Sequence, residues 1–491
     1  VSAVSPARLA RSASLVGAAT TTSRILGLVR DQLLAFLFGA GDQMDAYLVA
    51  SRIPNLFRDL FAEGAMSSAF VPVFTRRLTL SGPDDAWQLG SQVLNTLMLV
   101  TAVLVLLGIA FAGPLVGLFA SDYAAVPGKL QLTTSLARLV LPFLPLVAVA
   151  AVFMGMLNSL HRFFVPALSP AVSNVAVIAC ALLLVPVMPL VHLPRITAIA
   201  LGILAGGVGQ AALQWPALRR EGFRYSFALD PRDPALREVL VLMGPGLLGL
   251  AASQINLLVN TVLAIGQGTG AVSWLSYAFR LMYMPVGIIG MSIATAAVPV
   301  ISRQAAETDL AGMRETLSAG LRMMLACYAP ALVGYSAVRL AVPAFYALHD
   351  SRTPVAVSMM TVLLNVVLNV ILVRAIGYAG LALGTAFAAL FNASLLLWLL
   401  RSRLGGIDGR RIASALAKIL AASSLMGLVA WHADTTLASA WPSEALVART
   451  LRVGTDICIA LVALGLAARL LRVRELSDAL ALVRARIAGR A

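Results

Sequence analysis

The chain has 491 residues, of which 60% are hydrophobic and only 12% charged, and its mean hydropathy is +0.89. That balance excludes a water-soluble globule. A net charge of +15 raises nucleic acid as a partner, but the basic residues fall in short clusters between long apolar runs. This is the pattern of cytoplasmic loops in a membrane protein, and it argues for no nucleic-acid role.

In chain order, helical apolar segments are expected at about 12–38, 44–76, 88–120, 131–158, 165–190, 196–218, 236–266 and 270–302. They continue at about 314–348, 354–374, 378–402, 411–432 and 446–471, thirteen in all. Arg8 and Arg11 precede a first segment studded with Thr20, Thr21, Thr22, Ser23 and Arg24, so it lacks a signal-peptide core and is expected to be retained. With the amino terminus inside, the connections 39–43, 267–271 and 433–445 carry almost no Lys or Arg. The opposite set carries Arg76, Arg77, Arg162, Arg219, Arg220, Arg224, Arg232, Arg237, Arg303, Arg401, Arg403, Arg410 and Arg411. The expected protein is all-α and polytopic, with both termini cytoplasmic.

The halves repeat. Ala-Phe-Val-Pro-Val at 69–73 returns as Ala-Ala-Val-Pro-Val at 296–300, an offset of 227, and Arg52 near Pro54 returns as Arg280 near Pro285 at 228. Two copies of one helical unit predict two lobes around a mid-membrane site. The expected division is an amino-terminal lobe at 1–218, a basic linker at 219–235 and a carboxy-terminal lobe at 236–403. Two further helices at 404–472 and an amphipathic basic tail at 473–491 follow. Phe153, Arg162 and Pro166 match Phe345, Arg352 and Pro354 at offsets of only 188–192, so the second half is about 35 residues short around 323–346. The run 314–348 then bends into a short re-entrant hairpin, crosses once and reverses everything downstream, or marks absent chain. Positive-inside logic favours a turn near Pro330 to Gly334, because Arg303, Arg314 and Arg352 all require the cytoplasmic side.

Charge inside the spans is the strongest functional signal. An arginine near mid-helix costs about 2.5–3.5 kcal/mol even on the mildest insertion scale. Arg24, Arg30, Arg52, Arg58 and Arg280 together therefore imply a water-filled cavity suited to an anion. Arg24, Arg52 and Arg280 have no acidic partner within one turn and are candidate substrate ligands, since a guanidinium grips the oxygens of an anion through a planar fork and stays charged. Arg30, Asp31, Arg58, Asp59 and Glu63 are read either as cavity ion pairs and gating groups or as internal pairs that fix helix packing. Pro54 is placed to kink the second segment beside Arg52. Asn365 and Asn369, one turn apart, either offer oxygens to a cation or bond neighbouring helices. Cys180, Cys327 and Cys458 lie in apolar segments and read as packing, and no His, Asp and Glu cluster has metal-ligand spacing.

The run Ser23-Arg24-Ile-Leu-Gly-Leu-Val-Arg30-Asp31 is followed by Phe38-Gly-Ala-Gly41, Asp45-Ala-Tyr47, Ile53-Pro-Asn-Leu-Phe-Arg58 and Phe61-Ala-Glu-Gly-Ala65. With Ala69-Phe-Val-Pro72, Leu157-Asn-Ser159, Arg162-Phe163, Tyr277 to Leu281 and Asp350-Ser-Arg-Thr-Pro354, it resembles the lipid II flippase family, MurJ/MviN. The resemblance implies fourteen helices in two lobes, of the multidrug/oligosaccharidyl-lipid/polysaccharide exporter superfamily, where thirteen segments are read here. It implies an alternating-access cavity lined by Arg24, Arg52 and Arg280, and lipid II as cargo moved outward across the bacterial cytoplasmic membrane. Proteins of cell-wall synthesis are then expected partners. It further implies a sodium site at Asn260, Asn365, Asn369 and Thr385, although acidic residues hold key places in family members that bind sodium.

A drug/cation antiporter of the same superfamily predicts cavity carboxylates, and a membrane-bound transferase predicts an acidic metal motif. The excess of intramembrane arginine favours the flippase, so no enzymatic activity is expected. Leu476, Leu480, Val483 and Ile487 form an apolar stripe flanked by Arg484, Arg486 and Arg490, an amphipathic helix expected to lie on anionic lipids. There is no Gly-x-x-x-x-Gly-Lys-Ser/Thr loop for ATP, and no cofactor is expected. The membrane potential is the expected driving force, worth about 2.3 kcal/mol per charge per 100 mV.

Overall fold

The computed structural model describes residues 6–59, 69–285, 330–348, 352–406, 409–440 and 446–471, with Arg303, Gln304, Glu307, Asp309, Gly312 and Asp350. Glu63, the Asp59 side chain, the repeat at 296–300, most of 286–329 and the tail 473–491 lie outside the described residues. All regular structure among the described residues is helical. The order is α1 (Pro6–Phe38), α2 (Asp42–Ala50), α3 (Arg52–Asp59), α4 (Val71–Leu80), α5 (Pro83–Ala110), α6 (Ala112–Phe119), α7 (Lys129–Val140) and α8 (Phe143–Ser159). Then come α9 (Phe164–Leu184), α10 (Thr197–Arg220), α11 (Pro234–Ile265), α12 (Ala271–Pro285) and α13 (Pro330–Ala347). The last four are α14 (Arg352–Ile376), α15 (Tyr378–Arg403), α16 (Gly409–Ala440) and α17 (Leu446–Leu470). Among the described residues, seven spans, counting α7 with α8 as one, are long and apolar enough to cross a membrane.

Two compact units emerge: residues 1–277 with 369–381, and 278–368 with 382–491. The first runs on past the basic linker because that linker is pinned to α5. Asn95 donates to the carbonyls of Ser226 (3.2 Å) and Ala228 (2.9 Å), and the Tyr225 hydroxyl donates back to Asn95 Oδ1 at 2.8 Å. Phe223 completes an aromatic cluster with Trp87, Phe153 and Trp215, at centroid separations of 5.4, 6.4 and 5.9 Å. Such edge-on ring contacts add to the burial of large apolar area.

The segment read as one helix at 44–76 is broken. Ser51 sits between α2 and α3, where Pro54 lacks the N–H that would bond the Ala50 carbonyl. The break makes Arg52 the first residue of α3. Between α9 and α10 the backbones approach closely along glycines: a Cβ on Gly202 would lie 2.9 Å from Val177 Cα, and one on Gly206 would lie 3.0 Å from Ser173 Cα. Small residues at a four-residue spacing are the usual device for packing helices without a hydrophobic driving force.

In the second unit Ala337, Leu340, Ala341, Ala344 and Phe345 of α13 pack with Val357 of α14 and Leu396 and Leu400 of α15. Asp350 accepts from the Thr353 amide (3.1 Å) and hydroxyl (2.7 Å) and from Arg403 Nη2 (2.9 Å), which explains the Asp-Ser-Arg-Thr-Pro stretch as the start of α14. The expected turn at Pro330 to Gly334 is corrected: the chain is helical from Pro330 to Ala347, 18 residues with Pro343 inside. The helical backbone runs through Gly334, so no turn falls between Pro330 and Gly334. Its length of about 27 Å exceeds the half-helix expected from the sequence.

Because the Gly202 contact is with backbone, Gly202→Val should destabilise the first unit by about 1–3 kcal/mol. The melting temperature in detergent should fall, while Gly427→Ala, at a glycine with open space around it, should leave it unchanged.

Candidate functional site

The charged side chains of the first segments occupy distinct environments. Arg24 lies exposed on α1, with no hydrogen bond or ion pair among the described residues. Arg30 is half-buried and pairs with its neighbour Asp31 at 2.8 Å, while its Nη1 donates to Asn174 Oδ1 on α9 at 2.9 Å. Asn174 in turn donates to the Ser23 carbonyl at 3.0 Å, over the space left by Gly27. For Arg30 and Asp31 the packing alternative is therefore realised: they fasten α1 to α9. Asn174 gives no spacing signal in the sequence.

Arg52 is also engaged. Its Nε and Nη2 donate to Thr261 Oγ1 at 3.0 and 2.8 Å, and Nη2 reaches the Leu257 carbonyl at 3.3 Å. Thr261 sits one turn beyond Leu257 on α11 and donates to the same carbonyl at 2.8 Å. The guanidinium thus bridges the first half of the chain to the second. Arg58 is exposed in the last turn of α3. Arg280 is half-buried on α12 in the second unit.

One heavily bonded carboxylate is not singled out by sequence spacing. Asp45, on α2, is fully buried. Its Oδ1 accepts from the Ser273 amide (3.0 Å) and hydroxyl (2.7 Å), and its Oδ2 accepts from the Gly270 amide (2.7 Å) and from Lys129 Nζ (3.0 Å). Gly270 precedes and Ser273 lies in the first turn of α12, so the carboxylate caps that helix and meets its positive end. Nearby, Thr269 donates to Asp42 at 2.7 Å and Tyr277 donates to the Gly39 carbonyl at 2.8 Å. Asp45 and Ser273 are 228 residues apart and Asp42 and Thr269 are 227 apart, which is the offset of the internal repeat. Positions one repeat offset apart are therefore in direct contact. The contacts join the charge-poor connections 39–43 and 267–271 into one closure.

The opposite, basic end carries ion pairs. Arg77 of α4 donates to both oxygens of Asp233 at 2.9 and 3.0 Å, and Arg76 pairs with Glu238. Asp233 also caps α11 through the Ala235 and Leu236 amides at 2.8 and 3.4 Å. Burial works against its charge, but Arg77 and the two amides outweigh it and hold the Asp233 carboxyl below the usual carboxylate range.

Asn260 and Asn369 are both buried, and the Asn369 amide donates to Asn260 Oδ1. Asn365 and Thr385 are buried too, and the four side chains supply no carboxylate.

The profile of the family described as lipid II flippase MurJ matches residues 34–326 and 323–451, two blocks that meet where the second half is short. A Vibrio cholerae protein named probable lipid II flippase MurJ is 31% identical, over 90% of this chain and 92% of its own. The lipid II flippase MurJ of Burkholderia cenocepacia is 32% identical over 80% and 84%. A solved lipid II flippase MurJ in an inward closed conformation superposes with a TM-score of 0.71, over 93% of this chain and 99% of that one, at 22% identity. An inward-facing MATE family multidrug resistance transporter of the MOP superfamily gives 0.64, over 79% and 96%, at 13% identity. These structures share the fold.

The basic-end pairs make a pH prediction. A depressed carboxyl contributes stability that is complete above the ordinary carboxylate range and is lost only as pH falls through its lowered value. Protection factors of amides across 223–236, with the intrinsic pH dependence of exchange divided out, should therefore stay constant between neutral and mildly acid pH. In Arg77→Gln exchange should run roughly tenfold faster, the loss of a charged hydrogen bond. Hydrogen exchange read by mass spectrometry gives both numbers.

Proposed function

The chain belongs to the lipid II flippase MurJ family, and from that membership we propose that it moves lipid II from the cytoplasmic to the outer leaflet of a bacterial cytoplasmic membrane. The observation that carries this reading is a family match spanning most of the chain, together with arginines on α1, α3 and α12 in segments otherwise apolar. We read Arg24, Arg52 and Arg280 as ligands of the pyrophosphate. The Thr261 hydroxyl and Leu257 carbonyl hold the Arg52 fork in the absence of that anion, and release it when phosphate oxygens offer charge-assisted bonds.

The charge-poor closure around Asp45 is read as the outer side, with Arg303, Arg352 and both termini in the cytoplasm. Alternating access then requires this closure to part. Proteins of the same superfamily are known in inward-facing and outward-facing conformations. We take the inside-negative potential as the driving force for an anionic headgroup moving outward, at about 2.3 kcal/mol per charge per 100 mV. The Asn260–Asn369 bond is read as helix-to-helix packing, so sodium carries no step.

As sole copy in cells depleted of their own flippase, Arg24→Ala, Arg52→Ala and Arg280→Ala should each fail to support growth while inserting at normal levels. Lys at the same positions should rescue partly, keeping charge without the fork. Normal growth with all three Ala variants removes the ligand assignment. In vesicles, collapsing the potential with ion gradients held constant should slow transport, and an unchanged rate removes the coupling. A cysteine at Arg403 should resist an impermeant reagent added outside intact cells; its modification reverses the topology.

A further inference from the structure

Lys129 is an unusual residue for its place. It opens α7, so its positive charge sits at the positive end of that helix, and the first turn of α7 holds no acidic residue to offset it. It is also almost completely buried, 3% exposed. A lysine in either situation is disfavoured, and both at once mean that something elsewhere compensates. The compensation is complete and specific: Nζ lies 3.0 Å from Asp45 and 2.8 Å from Asp42, and 4.1 Å above the ring of Tyr123. Local backbone delivers it there. The turn Ser121–Ala125 presents Tyr123, and Gly128, at φ +78°, swings the chain back so that the next residue points inward.

We infer that Lys129 is the positioning residue of the closure around Asp45: its ammonium keeps that carboxylate charged while the closure excludes water from it. The inference rests on the transport reading above only for its biological consequence. A buried carboxylate without a counter-charge takes up a proton. A protonated Asp45 would accept more weakly from Gly270 and Ser273 and would carry an O–H that competes with their donors. Lys129 comes from the first half of the chain, as Asp45 does, whereas the Gly270 and Ser273 donors come from the second. The cation therefore stays with its carboxylate when the two halves part, and the closure can re-form without a proton having to leave. The other charged and titratable groups facing this site are Asp42 on α2, with Asp122 and Tyr123 on the preceding turn. Lys129 holds Asp42 below the usual carboxylate range, and burial, then Asp45 and Asp42, pushes the Tyr123 phenol far up. Neither changes charge near neutrality.

The test uses the full chain with Cys180, Cys327 and Cys458 replaced by Ser, in lipid nanodiscs without substrate, and spin labels at Ala125→Cys and Gln267→Cys. Both positions are exposed, and they flank the closure. With Lys129 present the label distance should be single and unchanged from about pH 8 to about pH 5.5. In K129M the longer distance should gain roughly tenfold or more in population at about pH 8 and recede toward about pH 5.5, as the unpaired Asp45 takes up a proton. K129R should behave as the parent. D45N/K129M, which removes both charges, should lose the pH dependence and recover the thermal stability lost in K129M. A K129M distance identical to the parent at every pH overturns the inference, as does a shift indifferent to pH, which packing alone would give. Should K129M not be recovered folded, the stability of D45N/K129M decides: recovery supports charge pairing, and no recovery refutes it. Because no lipid II is present, failure here leaves the flippase reading to its own growth assay.

Discussion

A carboxylate sealed from water at the meeting of two repeats organises much of what surrounds it. Asp45 accepts four hydrogen bonds from three elements, and each donor explains a local feature that otherwise looks arbitrary. The left-handed glycine before Lys129 turns the ammonium inward. Gly270, at φ +88°, brings its amide to 2.7 Å of the carboxylate, where a Cβ would strike the Ala40 carbonyl. Ser273 offers amide and hydroxyl together. A buried charge left without one of these partners costs several kcal/mol, so the closure is made as a whole or not at all. That all-or-none character is what an access gate requires, since intermediate openings would leak.

The two ends of the first unit use different chemistry for the same joining task. At the charge-poor end the link centres on the fully buried Asp45, with the half-exposed Asp42 beside it. At the basic end Arg76 meets Glu238 in an exposed pair that water screens, while Arg77 reaches the buried Asp233. Between them, Arg52 donates to the Thr261 hydroxyl and the Leu257 carbonyl.

Much of this was legible from residues alone. Long apolar runs placed the helices, Pro54 marked the break beside Arg52, and the 227–228 offset announced the repeat. The intramembrane arginines stood out because their cost is local and large. Asp45 and Lys129 did not, because each lies at the edge of a span where charge is ordinary, and only the fold brings Lys129 across 84 residues to its partner. The repeat offset did contain the Asp45–Ser273 contact: equivalent positions near a two-fold axis are candidates for touching, a rule applied too narrowly to motifs. The Arg30–Asn174 contact was hidden for a similar reason, since Asn174 is an unremarkable amide in an apolar helix until α1 and α9 pack. The run at 330–347 failed differently. Pro330 and Gly334 suggested a turn, but proline at a helix start and a single glycine within it are both compatible with continuous helix.

The central claim is transbilayer movement of lipid II by this chain, and leaflet accessibility measures it without growth or conformation as intermediaries. Proteoliposomes would be loaded with lipid II labelled on its peptide, with a membrane-impermeant hydrolase added outside that cleaves the pyrophosphate linkage. If only outer-leaflet lipid II is cut when the liposomes lack protein, then the purified chain should expose the inner-leaflet half as well, and cleavage should run to near completion. A plateau at the outer-leaflet fraction, unchanged by addition of the folded chain under an imposed inside-negative potential, would contradict the account.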